Sequence, residues 1–276
     1  MEFMHHKQWK DALFLHYEAD VARLQALLPA GLVVDTNPDN NKAYVGVVAL
    51  TETGITAPFL LPNWLRSLLS MSHHAVNVRT YVRPSARRSD DDDGSAPAGI
   101  YFFTLDCNSF WPFCGARLLF HLPYRLAVMA RRFVCHQAAS SRTYFFTSRR
   151  RLSSAKLEVE WEIADNDKSS LLSDRDERAL GEFFVERYYL YNCPGRFLKL
   201  LFCGRLGDLW RGSITHKPWP VYKARVTRLH NTVLDAIPGL SDAIVWKSDP
   251  VAHFSPGVDD IRFFFHPLLA TSEKQE

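Results

Sequence analysis

The stretch from Gly115 to Met129 reads Gly-Ala-Arg-Leu-Leu-Phe-His-Leu-Pro-Tyr-Arg-Leu-Ala-Val-Met, and the fold can be predicted outward from it. Pro123 fixes its own φ and disfavours the helical conformation at Leu122. We therefore expect a helix to end near His121 and a strand to begin at Tyr124. Side chains at such a junction are held more rigidly than side chains on an open loop, which suits a binding or reacting group.

Tyr124 and Arg125 are candidate ligand-binding residues at this junction. Arginine stays charged at any practical pH and binds carboxylates in a forked geometry. A neighbouring tyrosine can donate a hydrogen bond, so a carboxylate, enolate or phenolate would suit the pair. Glu186, within Phe-Phe-Val-Glu-Arg-Tyr, is a candidate partner carboxylate. The alternatives are that Tyr124 is half-buried without a role, that Arg125 is solvated, and that Glu186 pairs with a nearby arginine.

The composition is that of an ordinary globular protein. The chain has 276 residues, a net charge of +3 and a pI of about 8.6. This charge is too mild for a nucleic-acid-binding domain, and no apolar run is long enough to span a membrane. The N-terminus shows no secretory signal, and the five cysteines form no Cys-x-x-Cys pair. We expect an intracellular, cytoplasmic protein with reduced thiols and no nucleic-acid or membrane partner.

Many short strands with few helices predict a single α+β domain over residues 1–270, mainly β, built as an antiparallel barrel. The expected helices are 20–28, 63–71, 177–186 and a short one at 231–237. Strands 32–36 and 43–51 are expected to form a hairpin. The remaining expected strands are 76–83, 100–107, 124–134, 143–150, 156–164, 187–191, 208–216, 221–230, 243–247, 251–254 and 258–265.

The strand from Val76 to Arg83 alternates between two faces. Asn77, Arg79 and Tyr81 share the second face, which is either an exposed surface or a polar lumen. Closed barrels of about eight strands can hold one small ligand. Arg79 and Tyr81 are therefore further candidate ligand-binding residues.

Two other segments carry charge or metal-binding side chains. Residues 87–98 contain four consecutive aspartates among small residues, so we expect a flexible insertion loop; residues 268–276 are expected to be a disordered tail. The aspartate run lacks the spacing of a calcium loop. In the pairs His5-His6 and His73-His74, adjacent side chains on a strand point apart and make poor joint ligands. We expect no metal and no cofactor.

Several stretches resemble the acetoacetate decarboxylase superfamily over nearly the whole chain. Leu122-Pro123-Tyr124-Arg125 is similar to the segment in which a proline precedes two adjacent lysines. The sequence most resembles the YqjF-like branch, which has no established biochemical role. The matching stretches are Phe14-Leu15-His16-Tyr17, Asn77-Val78-Arg79-Thr80-Tyr81-Val82, Tyr101-Phe102-Phe103-Thr104-Leu105-Asp106, Glu186-Arg187-Tyr188 and Pro218-Trp219-Pro220.

The resemblance implies a cone-like barrel with a few flanking helices. In the family the first lysine forms a Schiff base with a ketone, and its neighbour lowers its pKa; here those positions hold Tyr124 and Arg125. The first hypothesis is a barrel that binds a small polar-headed organic molecule, or modifies it by acid–base chemistry, without that lysine. The second is a non-catalytic assembly module with a degenerate site. The third is a decarboxylase with a relocated lysine, Lys217 or Lys223. Homo-oligomerisation is left open.

Overall fold

The computed structural model describes residues 2–56, 71–85, 97–111, 113–114, 117, 121–136, 141–164, 172, 175–195 and 208–266. The helices whose bounds lie within the described residues are α1 (Val21–Ala26), α2 (Arg175–Val185) and α3 (Leu240–Ala243), and residues 110–111, 113–114 and 117 are also helical. The strands are β1 (Glu2–Ala19), β2 (Leu32–Val34), β3 (Ala43–Ile55), β4 (Met71–Pro84), β5 (Gly99–Cys107), β6 (Tyr124–His136), β7 (Ser141–Arg150), β8 (Lys156–Ala164), β9 (Tyr189–Asn192), β10 (Trp210–Thr215), β11 (Tyr222–Lys223), β12 (Arg225–Asn231) and β13 (Val251–His266).

Seven of these strands close into a barrel in the order β1, β3, β4, β5, β9, β10 and β13, with β13 returning to β1. A second sheet, β6–β7–β8–β12, branches from β5. The pairings are antiparallel except for β5–β9 and β5–β6, which are parallel. The predicted mainly-β barrel class is confirmed, and the strand predicted from Tyr124 is β6.

Strands β1, β3 and β4 contain long runs that are buried on both faces, because one face lines the barrel interior and the other packs against the second sheet. In β1, Phe14 belongs to the interior cluster, whereas Leu13 and Leu15 belong to the cluster between the sheets. In β3, Val48 points inward and Val47 points outward in the same way. Strands buried on both faces read as continuous apolar runs, as these do.

The helices flank or close the barrel. Asp20 caps α1 by accepting a hydrogen bond from the Arg23 backbone N–H at 2.8 Å, as an N-cap residue does. Helix α2 ends at the barrel interior, where the Phe184 ring stacks on His16 with centroids 3.6 Å apart. None of the helices in the described ranges has the length and apolar character needed to cross a membrane.

Three predicted elements are wrong. In place of the strand predicted at 243–247, α3 ends at Ala243 and Ile244 makes only an isolated bridge with Ala19. Strand β2 does not form a hairpin with β3, because both strands pair with β4. The Asp35 N–H donates to the Tyr81 carbonyl and extends the pairing of β2 along β4. Residues 233–236, predicted to be helical, form a turn in which the Asn231 side chain accepts from the Val233 N–H. The predicted helix 63–71, loop 87–98 and tail 268–276 lie wholly or mostly outside the described residues.

Candidate functional site in the barrel interior

A cavity of about 80 Å³ lies inside the seven-stranded barrel. Its walls are largely aromatic and aliphatic, which is typical of small-molecule sites. Polar side chains converge on it from several strands and from the segments that follow α2 and β10. These polar residues are His6, Glu52, Asn77, Arg79, Tyr124, Arg187 and His216.

Arg79 is a buried cation without a carboxylate partner among the described residues. Its side chain is carried by β4, where a shift in the β4–β5 register falls between Val78 and Arg79. One guanidinium nitrogen, Nη2, donates to the Phe184 carbonyl at 3.1 Å, and Nε has no partner. The guanidinium carbon lies 5.7 Å from the centroid of the Phe14 ring. The group therefore keeps unused donors at the cavity.

Arg187 lines the same cavity but its charge is neutralised. Its Nη1 donates to Asp35 at 2.7 Å, and Asp35 also accepts from Arg83 at 2.6 Å. Its Nε donates to the Phe183 carbonyl at 2.7 Å. Arg187 therefore uses its donors within the protein, whereas Arg79 keeps its Nε donor unpaired at the cavity.

Glu52 is a buried carboxylate that shares one end of the cavity with two histidines. Glu52 and His73 face each other in the β3–β4 register, with His73 Nε2 at 3.2 Å from Glu52 Oε2. His6 Nδ1 lies 3.9 Å from the same oxygen and accepts a hydrogen bond from Trp9 Nε1 at 2.8 Å. Burial lowers the pKa of His6 to about 4, so its imidazole is neutral at pH 7. Burial opposes the charge on Glu52, but His6 and His73 outweigh it and lower the pKa of the carboxyl.

Tyr124 enters the cavity from the start of β6, beyond the Leu122-Pro123 junction. The structure gives its hydroxyl no hydrogen-bond partner among the described residues. Burial, reinforced by the charge on Glu52, raises the pKa of Tyr124 well above its ordinary value, so the hydroxyl remains protonated and can donate. Arg125, the next residue, is exposed and does not line the cavity, because successive side chains of a strand point to opposite faces.

The other two predicted residues lie near the cavity without lining it. Tyr81 is fully buried, with its hydroxyl 2.7 Å from His16 Nε2 and donating to the Phe184 carbonyl at 3.2 Å. Glu186 accepts from the backbone N–H of Trp219 at 2.8 Å and from the hydroxyl of Tyr188. Glu186 therefore positions the Trp219 segment.

The lysines considered for a relocated Schiff base lie on the surface. Lys217 is exposed, and exposed Lys223 donates to Glu177 at 2.7 Å. Within the described part of the chain, no lysine lines the cavity. The same part of the chain contains no group of three or more metal-binding side chains suited to a metal ion.

Sequence reasoning missed Glu52, His6, Asn77, Arg187 and His216 as candidate residues. Glu52 was missed because the predicted strand ended at Thr51, whereas β3 continues to Ile55. A usable signal was present, since Val48, Leu50 and Glu52 alternate onto one face of that strand. His6 lies in β1, where no strand was expected.

Comparison with known proteins supports both the fold and the predicted resemblance. A sequence model of DUF2071, a family of uncharacterized conserved proteins, matches residues 6–259. The uncharacterized protein YqjF of Bacillus subtilis (strain 168) is 27% identical over 269 residues, which cover 94% of this chain and 89% of that protein.

Solved structures similar to the chain have the acetoacetate decarboxylase fold. The acetoacetate decarboxylase of Legionella pneumophila has a TM-score of 0.58 at 14% identity, covering 98% of this chain and 87% of the other. An acetoacetate decarboxylase-like enzyme from Sphingomonas wittichii RW1 has a TM-score of 0.56 at 11% identity, covering 98% and 94%. The enduracididine biosynthesis enzyme MppR with bound HEPES has a TM-score of 0.57 at 12% identity, covering 98% and 88%. Identities this low establish a shared fold alone.

Proposed function

The chain belongs to the DUF2071 family, and we propose that the barrel interior of this member binds a small organic carboxylate, which Arg79 receives. The observation that carries this proposal is the unneutralised guanidinium of Arg79 at the cavity wall. A buried charge is costly unless it is paired and hydrogen-bonded. A ligand carboxylate would supply both the opposite charge and the acceptors for the free N–H groups.

The size of the cavity limits the ligand. Its volume is about 80 Å³. An engineered protein cavity of about 150 Å³ binds benzene. The cavity is about half that volume, so the ligand is smaller than benzene, and a short unbranched acid fits better than a long one or one that carries a ring.

The remaining polar groups define the chemistry available to the ligand. Tyr124 supplies a donor, and Asn77 Oδ1 is a buried acceptor without a partner. Tyrosine cannot form an imine, so a Schiff base at Tyr124 is excluded. The proposed function is therefore binding, and the chemistry available to Tyr124 and Glu52 is proton transfer. The decarboxylase activity named for the structural neighbours is thus not proposed for this chain.

Aromatic packing inside the barrel favours a second candidate, a non-catalytic assembly module. The rings of Trp9 and Trp219 stack with centroids 5.6 Å apart, and Phe14 and Phe263 pack against them edge-on. A filled lumen of this kind would suit a scaffold. The unpaired charge of Arg79 argues against a purely structural role, however. Replacement of a buried charge by an apolar side chain is often stabilising, so a scaffold gains nothing from this arginine.

Substitution Arg79→Met tests the proposal. Trp9 and Trp219 line the cavity, so their fluorescence should report titration with straight-chain monocarboxylates from acetate to hexanoate. We expect Arg79→Met to weaken the affinity for the best acid at least about tenfold, because a charge-assisted hydrogen bond is lost. We expect its melting temperature to be equal to or higher than that of the wild type.

Arg125→Met is the matched control, since Arg125 is an exposed arginine next to Tyr124. It should change neither the affinity nor the melting temperature. Equal binding by wild type and Arg79→Met would contradict the proposal. If no acid binds, and Arg79→Met only stabilises the fold, the assembly-module hypothesis is favoured.

A further inference from the structure

Asn77 is a buried amide at the cavity whose oxygen is left unpaired by the part of the chain that the structure describes. The residue is 8% exposed and lines the cavity from β4. Its Oδ1 is buried and has no hydrogen-bond partner among the described residues. A buried polar atom without a partner costs free energy, and the buried polar atoms of native proteins are nearly always paired. The unpaired amide oxygen therefore indicates a partner that enters the cavity.

A single row of residues across neighbouring strands brings Asn77 and Tyr124 to the same level of the cavity. The members of this row face one another in succession and all line the cavity: Phe14, Val48, Asn77, Leu105 and Tyr124. Neighbouring strands lie about 4.8 Å apart, so the backbones of Asn77 and Tyr124, two strand spacings apart, are separated by roughly 10 Å. Both side chains extend into that gap, where one small polar group can contact the two of them.

Arg79 places its positive charge at the same row. It follows Asn77 by two residues on the same face of β4, so the two backbones are about 7 Å apart. Its guanidinium carbon lies 5.7 Å from the centroid of the ring of Phe14, which belongs to the row. The long side chain therefore lies toward the row. A cation, an amide and a phenol thus border the same part of a cavity of about 80 Å³.

A hydroxyl group is the substituent that suits the amide and the phenol together. A hydroxyl both donates and accepts hydrogen bonds. It can donate to Asn77 Oδ1 and accept from Tyr124, whose raised pKa keeps the phenol protonated. A carbonyl oxygen only accepts, so it would leave Asn77 Oδ1 unpaired. An ammonium group would donate to that oxygen but would bring a second positive charge close to Arg79.

We propose that the ligand is a short 2-hydroxy acid, whose carboxylate binds Arg79 and whose hydroxyl group bonds to Asn77 and Tyr124. This inference rests on the proposed function, because it assigns the second polar group of the carboxylate ligand placed there. The cavity volume of about 80 Å³ restricts the acid to the smallest members of the class, such as hydroxyacetate. In so short an acid the hydroxyl is carried by the carbon next to the carboxylate. Asn77 is then the residue that determines specificity for the hydroxyl.

Three acids with the same number of non-hydrogen atoms test the assignment in the wild-type protein. Hydroxyacetate carries the proposed hydroxyl, propanoate replaces it by a methyl group, and glycine replaces it by an ammonium group. Titration is followed by the fluorescence of Trp9 and Trp219, which line the cavity, at constant pH and ionic strength. We expect hydroxyacetate to bind at least about tenfold more tightly than either of the others. Propanoate is the matched control, because its carboxylate can still bind Arg79.

Substitution Asn77→Leu tests whether Asn77 recognises the hydroxyl. Leucine has nearly the shape of asparagine but no polar side-chain atom. We expect the variant to bind propanoate at least as well as the wild type does, and to lose most of the preference for hydroxyacetate. A variant that keeps the full preference would overturn the assignment to Asn77.

Failure of the inference and failure of the proposed function give different results. If propanoate or glycine binds the wild type as tightly as hydroxyacetate does, the hydroxy-acid inference fails. Binding of propanoate that Arg79→Met weakens would then still support the carboxylate proposal. If none of the three acids binds, the proposed function itself fails. The comparison of acids in the wild type needs no variant, so it decides the inference even when Asn77→Leu does not fold.

Discussion

Two tyrosines of this barrel differ in whether the protein satisfies their hydroxyl groups. The hydroxyl of Tyr81 is satisfied by His16 and the Phe184 carbonyl. The hydroxyl of Tyr124 has no such partner in the described part of the chain and stands at the cavity beside Glu52. Removal of one partner of a buried hydrogen bond leaves the remaining donor or acceptor unsatisfied, which costs free energy. Removal of a hydroxyl that has no partner carries no such cost.

Substitution by phenylalanine should therefore separate the two tyrosines. We expect Tyr81→Phe to lower the free energy of unfolding by about 1–3 kcal/mol, because His16 loses its partner. Tyr124→Phe should change that free energy by less than about 1 kcal/mol and weaken ligand binding severalfold. Urea unfolding and fluorescence titration of both variants measure the two effects. A Tyr124→Phe protein destabilised as much as Tyr81→Phe would show that Tyr124 is a structural residue.

At the scale of elements, the link between the barrel and the second sheet depends on a buried ion pair. Asp106 of β5 accepts from Arg150 Nε of β7 at 2.8 Å and 3.0 Å, and Arg150 Nη2 donates to Thr104 at 2.9 Å. Burial raises the pKa of Asp106 even though Arg150 opposes it. Formation of the pair thus costs desolvation free energy. Removal of either partner would leave the other as a buried unpaired charge.

Single substitutions of this pair should be far more harmful than the double substitution. We expect Asp106→Leu alone or Arg150→Met alone to lower the free energy of unfolding by about 3–5 kcal/mol. The combined Asp106→Leu and Arg150→Met variant should lose less than either one. The exposed pair of Lys223 and Glu177, at 2.7 Å, is the control and should contribute at most about 1 kcal/mol. Additive losses in chemical denaturation would contradict this account of the pair.

Strands with one solvent-exposed face were predictable from the sequence, because apolar and polar residues alternate in them. In β8, Leu157, Val159 and Trp161 alternate with glutamates and are buried as expected. Strand β1 gives no such alternation over residues 12–17, where every side chain is buried, so a central strand of the barrel was missed. The local hairpin rule also failed for β2, because a long-range bond to Tyr81 decides its partner.

The candidate site was predictable only in part, for related reasons. Alternation put Arg79 on a face that was either exposed or a polar lumen, and the proline junction placed Tyr124 at the start of a strand. Whether Arg79 is neutralised, as Arg187 is by Asp35, depends on residues far apart in the chain. The pairing of Glu52 with His73 depends in the same way on strand register, which the sequence pattern does not specify.

At the scale of the whole molecule, buried neutral histidines should make the fold sensitive to acid. Burial is the largest cause that lowers the pKa of His253 to about 4, and that of His16 also lies well below its ordinary value. Below pH 6.5 the unfolded chain takes up protons at these sites while the folded chain does not. Stability is therefore fully present above pH 6.5 and is lost as the pH falls through about 4.

Substitution His253→Leu should remove one part of this dependence. For a pKa of about 4 in the folded state, the loss in wild type between pH 7.5 and pH 5 is about 2 kcal/mol from this residue alone. We expect urea unfolding at the two pH values to show a difference smaller by about that amount in the variant. An unchanged difference would mean that His253 is protonated in the folded protein.

The pairing of β1 with β13 joins residues 2–19 to residues 251–266 and closes the barrel. During synthesis, β1 emerges from the ribosome long before its neighbour on that side exists. At about 5–20 residues per second, the interval is on the order of ten seconds or more. Throughout it, an apolar strand has one unpaired edge, which is an aggregation hazard. The pairing that closes the barrel therefore also leaves the nascent chain with an unpaired apolar edge until residues 251–266 are made.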